Sequence, residues 1–225
     1  MQPQKNISKI LLEQDWTNST NRNIVQREPS ADKSIQGFYQ DEKSFFQHCV
    51  PDKFKHCELK NLLDIAAEIV MYGYKWAVNP ESVFIHGIPG NGKTSYVFAL
   101  LREMFRKSPK KLWPRFYSSP GLDAILLEAV KADDGDAYLL KFLSTQDILF
   151  IDDFGRENNS PRIKRQYFEI INNRYSENKI TILTSNLDIN QIGNSLGDAL
   201  ASRLQEWQEI TFLKPDLRKK KFLEG

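Results

Sequence analysis

The 225-residue sequence predicts an α/β fold in which a five-stranded parallel sheet is covered by helices on both faces. Short apolar runs of strand length alternate with segments of helical spacing, and this alternation implies crossover connections between parallel strands. A glycine-rich turn at residues 87–94 also joins one apolar run directly to a helical segment. With 40% hydrophobic and 27% charged residues, the chain can bury one substantial core.

Each predicted element follows from local periodicity. The strands are predicted near residues 83–85, 115–118, 147–151, 180–184 and 210–213. A helix is predicted over 59–76, where apolar residues recur at helical spacing until Asn79-Pro80 stops the run. Further helices are predicted from residue 96 after the glycine-rich turn, over 121–131, from Pro161 at a first helical position to residue 175, and near 196–206.

Residues 87–94 read GIPGNGKT and fit the phosphate-loop pattern G-x-x-x-x-G-K-[ST]. A glycine-rich turn that opens a helix directs backbone N–H groups and the positive end of the helix dipole at one point, so it binds polyphosphate. We expect Lys93 to reach the β- and γ-phosphates of a nucleoside triphosphate and Thr94 to ligate Mg²⁺. A chance glycine-rich turn is the alternative, and the strand and helix that flank the motif disfavour it. The predicted nucleotide-binding residues are Gly87, Pro89, Gly90, Asn91, Gly92, Lys93, Thr94 and Ser95.

A second apolar run, within residues 147–153, ends in Asp152 and Asp153 and is followed by the breaker Gly155. In a parallel sheet such a strand ends beside the phosphate loop. We therefore assign Asp152 to the Mg²⁺ and Asp153 to the attacking water. Two surface aspartates in a turn are the alternative interpretation.

The composition changes once along the chain and predicts two regions, an adaptor at 1–45 and a nucleotide-binding domain at 46–225. The first is rich in Asn, Gln, Ser and Thr, with Ile7, Ile10 and Leu11 at helical spacing before Trp16. A short amphipathic helix there is a candidate contact for a partner protein. Disorder, or packing of this segment onto its own domain, is the alternative.

Charge, hydropathy and cysteine content indicate the cellular location of the protein and its use of cysteine. The net charge of +2 says little about the binding partners. The chain contains neither an apolar stretch of about 18 residues nor a signal-type segment, so we expect no membrane contact and a cytoplasmic location. Two cysteines form no disulfide framework. The pairs His48-Cys49 and His56-Cys57 could suggest zinc, but adjacent residues seldom face one ion, which favours solvated or core roles.

Several motifs together resemble a known family. The phosphate loop, LFIDDFG, RYSENKITILTSNL and GDALASRL occur in the order and approximate spacing of the AAA+ ATPases. More narrowly, the chain resembles the DnaC/DnaI-type replicative helicase loaders and the IstB-type transposition helper ATPases, and residues 50–54, VPDKF, resemble the I-P-x-R-F segment of that group. The resemblance covers about residues 46–218.

The resemblance implies roles for two further residues. Asn186 matches sensor 1, whose amide contacts the γ-phosphate and the water, although a turn asparagine is the alternative. Arg203 matches the arginine finger that acts in the ATP site of a neighbouring subunit, with a solvated helix arginine as the alternative. A finger acting in trans implies self-association, with ATP at subunit boundaries and slow hydrolysis by an isolated subunit. The family's G-x-S-x-R turn is represented by Lys214, Asp216 and Arg218, without its glycine and serine, and a C-terminal helical lid is not expected.

The resemblance predicts a helicase loader that engages a replicative ring helicase and delivers it to single-stranded DNA. A transposase helper acting on duplex DNA and a nucleotide-gated binding switch with little hydrolysis are the alternatives. The basic residues Lys107, Lys110, Lys111 and Lys219 to Lys221 could follow a nucleic-acid backbone, and Trp113, Phe116 or Tyr117 could stack on bases. A solvated charged face and core aromatics are the competing interpretation.

Overall fold

The computed structural model describes residues 41–62, 64–129, 135–155 and 160–213. Its five strands form one all-parallel sheet in the order β2-β3-β4-β1-β5, which confirms the predicted fold class. The strands are β1 (Val83–Gly87), β2 (Pro114–Ser118), β3 (Ile148–Asp152), β4 (Ile180–Ser185) and β5 (Gln208–Phe212). Because all five run the same way, the carboxyl ends of β1, β3 and β4 lie along one edge, where the site forms.

Helices cover both faces of this sheet. The described helices are α1 (Glu42–His48), α2 (Ala67–Val78), α3 (Lys93–Lys107), α4 (Ser119–Ala129), α5 (Gly135–Thr145), α6 (Pro161–Ser176), α7 (Ile189–Leu196) and α8 (Asp198–Leu204). Residues from α1, α2 and α3 pack on one face, and residues from α4 to α8 pack on the other. The strands alternate accordingly, so that Phe150 of β3 faces the first layer and Ile151 faces the second.

The helix predicted over 59–76 is wrong in its first half. Leu59–Asn61 forms a 3₁₀ turn, and α2 begins only at Ala67. The Leu59 side chain packs against Gly73 of α2. A Cβ added at Gly73 would lie 3.1 Å from the two methyl carbons of Leu59. The apolar spacing is therefore real, but it comes from a segment that turns back against α2 rather than from one continuous helix.

One further helix boundary differs from the predictions, and one helix was not predicted. The helix predicted near 196–206 is α8, and Gly197, with a φ of 110°, separates it from α7. Helix α5 was not predicted, although Leu139 and Leu143 are buried at helical spacing. Predicted features at Ile7, Ile10, Leu11, Trp16 and Arg218 lie outside the described residues.

Helix α1 spans the residue at which the two regions were predicted to meet. Its Phe45 and Phe46 are buried, and its Glu42 pairs with Arg102 of α3 at 2.7 Å. The described structure thus includes at least residues 41–45 in the packing around α3.

Candidate active site

The phosphate loop joins the end of β1 to the start of α3. Gly87, Gly90 and Gly92 adopt φ values of 143°, 79° and 96°, a region that side chains other than glycine rarely occupy. A Cβ at Gly87 would also lie 2.3 Å from the carbonyl oxygen of Phe212 in β5. Glycine is therefore required in this turn, both by the backbone conformation and, at Gly87, by the close approach of β5.

Lys93, the first residue of α3, is buried and directs its ammonium group into the loop. Its Nζ donates to the carbonyl oxygens of Gly87 at 2.7 Å and Ile88 at 2.8 Å. It also lies 3.2 Å from Oδ1 of Asn91 and 3.0 Å from Oδ1 of Asn186. The ammonium therefore lies among acceptors of the loop, at a point where bound phosphate oxygens could replace some of them.

Asn91 fixes the loop to the sheet. Its side chain is buried, and its Nδ2 donates to the carbonyl oxygen of Phe212 at 2.8 Å while its Oδ1 accepts from Lys93. One amide thus connects the phosphate loop, the lysine and the end of β5.

The Asp152 carboxylate ends β3 and accepts two hydroxyl hydrogen bonds. Thr94 Oγ1 donates to its Oδ1 at 2.8 Å, and Thr184 Oγ1 of β4 donates to the same oxygen at 2.5 Å. Burial raises the pKa of the Asp152 carboxyl, and the two hydrogen bonds act in the opposite direction. A half-buried carboxylate next to a hydroxyl that can also be a ligand is a suitable environment for a hard cation.

Asp153 and Asn186 form the second half of the cluster. Nδ2 of Asn186 donates to Oδ1 of Asp153 at 2.9 Å, while its Oδ1 accepts from Lys93. Asp153 has a φ of 59°, and its backbone N–H donates to Thr184 Oγ1 at 3.1 Å. The strained backbone turns Asp153 away from the strand direction and toward Asn186.

These side chains fit ATP with Mg²⁺. Thr94 and Asp152 offer two oxygen ligands 2.8 Å apart, which is close to the edge length of an octahedral Mg²⁺ shell, about 2.9 Å. Lys93 and the backbone at the start of α3 would contact the phosphates. The same carboxyl edge thus combines Lys93, Thr94, Asp152, Asp153 and Asn186.

Arg203 lies at the opposite edge of the sheet from this cluster. Helix α8 ends at Leu204, and β5 then begins at Gln208, which pairs with Val83 at the start of β1. Strand β1 runs five residues, roughly 16 Å, before it reaches the phosphate loop. Arg203 therefore lies away from the phosphate-loop cluster of the same chain.

One member of the cluster was not predicted. Thr184 ends a strand predicted as buried, and its hydroxyl contacts both Asp152 and the backbone of Asp153. The available signal was a polar residue at the carboxyl end of a strand adjacent to the acidic one. Which face of β4 carries this hydroxyl depends on the strand register, which the sequence did not specify.

Of the candidate nucleic-acid-binding residues, two aromatic residues lie in the protein core and three lysines are exposed. Phe116 packs against Phe98 and Phe150, and Tyr117 packs against the opposite core, so the core interpretation is correct for these two aromatics. Lys107, Lys110 and Lys111 are exposed near the start of β2, at the edge away from the phosphate loop. Lys219 to Lys221 lie outside the described residues.

The His-Cys pairs do not converge on an ion site. In the described ranges, no group of three or more His, Cys, Asp or Glu side chains is arranged to hold a metal. Cys57 is buried, and burial raises the pKa of its thiol although Ser95 hydrogen-bonds to it. Among the same residues, no helix is long and apolar enough to cross a membrane.

The strand order and the phosphate loop define a P-loop nucleotide-binding fold of the AAA+ class. The family model of the IstB-like ATP binding proteins matches residues 58–206, and the chain belongs to this family of P-loop ATPases.

Individual relatives agree with this assignment. The chromosomal replication initiator protein DnaA of Pseudothermotoga lettingae is 28% identical over 143 residues, which are 62% of this chain and 32% of that protein. The chain thus spans about a third of the length of that curated relative.

Two solved structures share the fold. The DnaC helicase loader superposes with a TM-score of 0.64 at 21% identity, covering 73% of this chain and 100% of that one. A replication initiator DnaA bound to AMPPCP and single-stranded DNA superposes with a TM-score of 0.61 at 20% identity, covering 77% and 56%.

Proposed function

We propose that the protein is a Mg²⁺-dependent ATPase that assembles with ATP at subunit boundaries, engages a replicative ring helicase and delivers it to single-stranded DNA. The observation that carries the proposal is the convergence of Lys93, Asp152, Asp153 and Asn186 at one sheet edge, with Arg203 at the other. The separation supports an assembly, because a finger too far from its own site can act only in another subunit.

The residues of the cluster divide the chemistry between them. Lys93 would exchange its carbonyl contacts for phosphate oxygens, and Thr94 and Asp152 would hold the Mg²⁺, which neutralises charge on the phosphates when bound. Asp153 would accept a hydrogen bond from the attacking water and orient it. Asn186, which already contacts both Lys93 and Asp153, would align the water with the γ-phosphate.

The charge on Asp152 supports the requirement for a cation. Burial disfavours the ionised form of Asp152, and a nearby Mg²⁺ would stabilise that form. We therefore expect nucleotide binding to be tight only when Mg²⁺ is present.

The choice of a helicase as partner is supported by similarity. The chain matches the full length of a structure named as a helicase loader, and a DnaA of the same fold is bound to single-stranded DNA. Residues 1–45 are the proposed adaptor that contacts the helicase, and residues 46–225 the ATPase domain. Slow hydrolysis by isolated subunits follows from the trans arrangement of Arg203.

A transposase helper is the second candidate, and the IstB-like family match favours it. The partner would then be a recombinase and the DNA a duplex.

A nucleotide-gated switch with little hydrolysis is the third candidate. It differs from the other two in predicting no ATP turnover that depends on Arg203.

The deciding experiment has two parts. The full chain and a chain lacking residues 1–40, which keeps the α1 contacts of Glu42 and Phe45 with the domain, are each incubated with a purified replicative helicase hexamer and, separately, with an IS21-type transposase. Complexes are measured by size-exclusion chromatography with light scattering. ATP turnover is measured with and without single-stranded and duplex DNA, for wild type and Arg203→Ala. Binding to the transposase alone, with stimulation by duplex DNA, would overturn the helicase-loader proposal.

A further inference from the structure

Arg203 is held by an aromatic ring rather than by an acid. The centre of its guanidinium lies 4.7 Å from the centroid of the Tyr175 ring, in the last turn of α6. Within the described part of the chain, Arg203 makes no ion pair, and its buried Nε has no hydrogen-bond partner. A cation–π contact does not use the in-plane N–H groups of the guanidinium, so those on Nη1 and Nη2 can still bind an external anion.

A carboxylate lies one turn away from Arg203 and does not pair with it. Glu206 follows Arg203 by three residues, and its backbone N–H donates to the Arg203 carbonyl at 3.2 Å. An acid and an arginine at this spacing on a helical turn are placed to interact. Instead, the Glu206 carboxylate accepts a hydrogen bond from the hydroxyl of Tyr175.

One tyrosine therefore contacts both charged groups in different ways. Its ring supports the guanidinium, and its hydroxyl holds the carboxylate. If the hydroxyl were absent, Glu206 would be released beside an arginine that has no other acid partner in the described ranges. A carboxylate bound there would compete with phosphate oxygens for the same N–H groups.

We propose that Tyr175 is a positioning residue for Arg203, whose ring orients the guanidinium and whose hydroxyl prevents Glu206 from neutralising it. The inference rests on the proposed function, in which Arg203 acts on the triphosphate of a neighbouring subunit. Tyr175 touches no reacting atom in this scheme and acts through Arg203.

Substitution isolates the role of the Tyr175 hydroxyl from that of its ring. Tyr175→Phe keeps the ring and frees Glu206, so we expect turnover to fall by about two- to fivefold, the range of an exposed ion pair. Tyr175→Phe combined with Glu206→Gln should return turnover to within about twofold of Glu206→Gln alone. The defect of Tyr175→Phe relative to wild type should also shrink at high ionic strength, because salt screens an exposed pair.

A subunit-mixing assay isolates the effect from the site of the same chain. Finger donors carry Asp153→Asn, which inactivates their own site, and acceptors carry Arg203→Ala, so measured turnover requires the Arg203 of a donor beside the site of an acceptor. Donors with Tyr175, with Tyr175→Phe, and with Tyr175→Phe plus Glu206→Gln are compared. Tyr138→Phe, on an exposed tyrosine of α5, is the matched control and should behave like the unmodified donor.

The outcomes distinguish the two proposals. If no mixture regains turnover although the folded variants co-assemble, the trans role of Arg203 is wrong and the proposed function fails first. If mixtures regain turnover but the Tyr175→Phe donor equals the Tyr175 donor, the role of Tyr175 is overturned by itself. A loss that Glu206→Gln does not reverse also overturns it, because the hydroxyl would then not act through Glu206.

Discussion

The hydroxyl of Thr94 donates a 2.8 Å hydrogen bond to the carboxylate of Asp152, although 58 residues separate them in the chain. Thr94 lies in the first turn of helix α3, and Asp152 ends strand β3. The contact places two oxygen ligands together before any cation is bound.

Replacing Asp152 with Asn should stabilise the nucleotide-free protein and abolish Mg²⁺-dependent hydrolysis. Burial raises the pKa of Asp152 above its unfolded value near 3.8. The folded state therefore loses stability as the pH rises from that unfolded value to the raised one, and it stays less stable at neutral pH. Asn carries no charge and should therefore raise the melting temperature at neutral pH. Scanning calorimetry with and without ATP and Mg²⁺ measures both effects, and an unstabilised variant would contradict the burial argument.

Replacing Asp153 with Asn should preserve ATP binding and reduce turnover by at least about 100-fold, because the side chain acts on the water rather than on the nucleotide. Calorimetric titration gives the affinity, and single-turnover assays give the rate. Asn186→Ala is the informative companion, since it removes the group that contacts Asp153 at 2.9 Å. Normal hydrolysis by Asp153→Asn would show that the water-orienting assignment is wrong.

Replacing Lys93 with Ala should abolish tight ATP binding. The buried ammonium is the main charged donor of the loop, and its loss also leaves the carbonyl groups of Gly87 and Ile88 without this partner. Titration with a non-hydrolysable ATP analogue measures the affinity, with Lys107→Ala on the exposed end of α3 as a matched control. Comparable binding by both variants would contradict the role of Lys93.

Replacing Gly87 with Ala should destabilise the fold by about 3 kcal/mol or more, because the new Cβ would lie 2.3 Å from a backbone oxygen of β5. Gly197→Ala is the control for conformational strain alone. Gly197 has a φ of 110° and a ψ of 146° but no atom within 4 Å of an added Cβ, so a cost of about 1–3 kcal/mol is expected there. Urea unfolding of both variants separates the clash from the strain, and equal costs would contradict this account.

The fold and the centre of the site could be predicted because their signals are local. The glycine-rich turn lies between a strand and a helix, and Asp152 and Asp153 directly follow an apolar run. The helix predicted over 59–76 failed because residues with helical spacing can lie in two segments that pack against each other. Local periodicity does not distinguish these cases, since only the contact of Leu59 with Gly73 reveals the turn.

The sequence by itself determined the chemical groups of the site, the parallel α/β class and the phosphate loop, because these depend on residue type and on spacing within short segments. The tertiary structure alone decided that Thr184 joins Asp152, that Asn91 ties the loop to Phe212, and that Tyr175 lies between Arg203 and Glu206. These contacts span strands and helices that are distant in the chain. Their geometry is set by strand order and register, which arise only when the whole sheet packs.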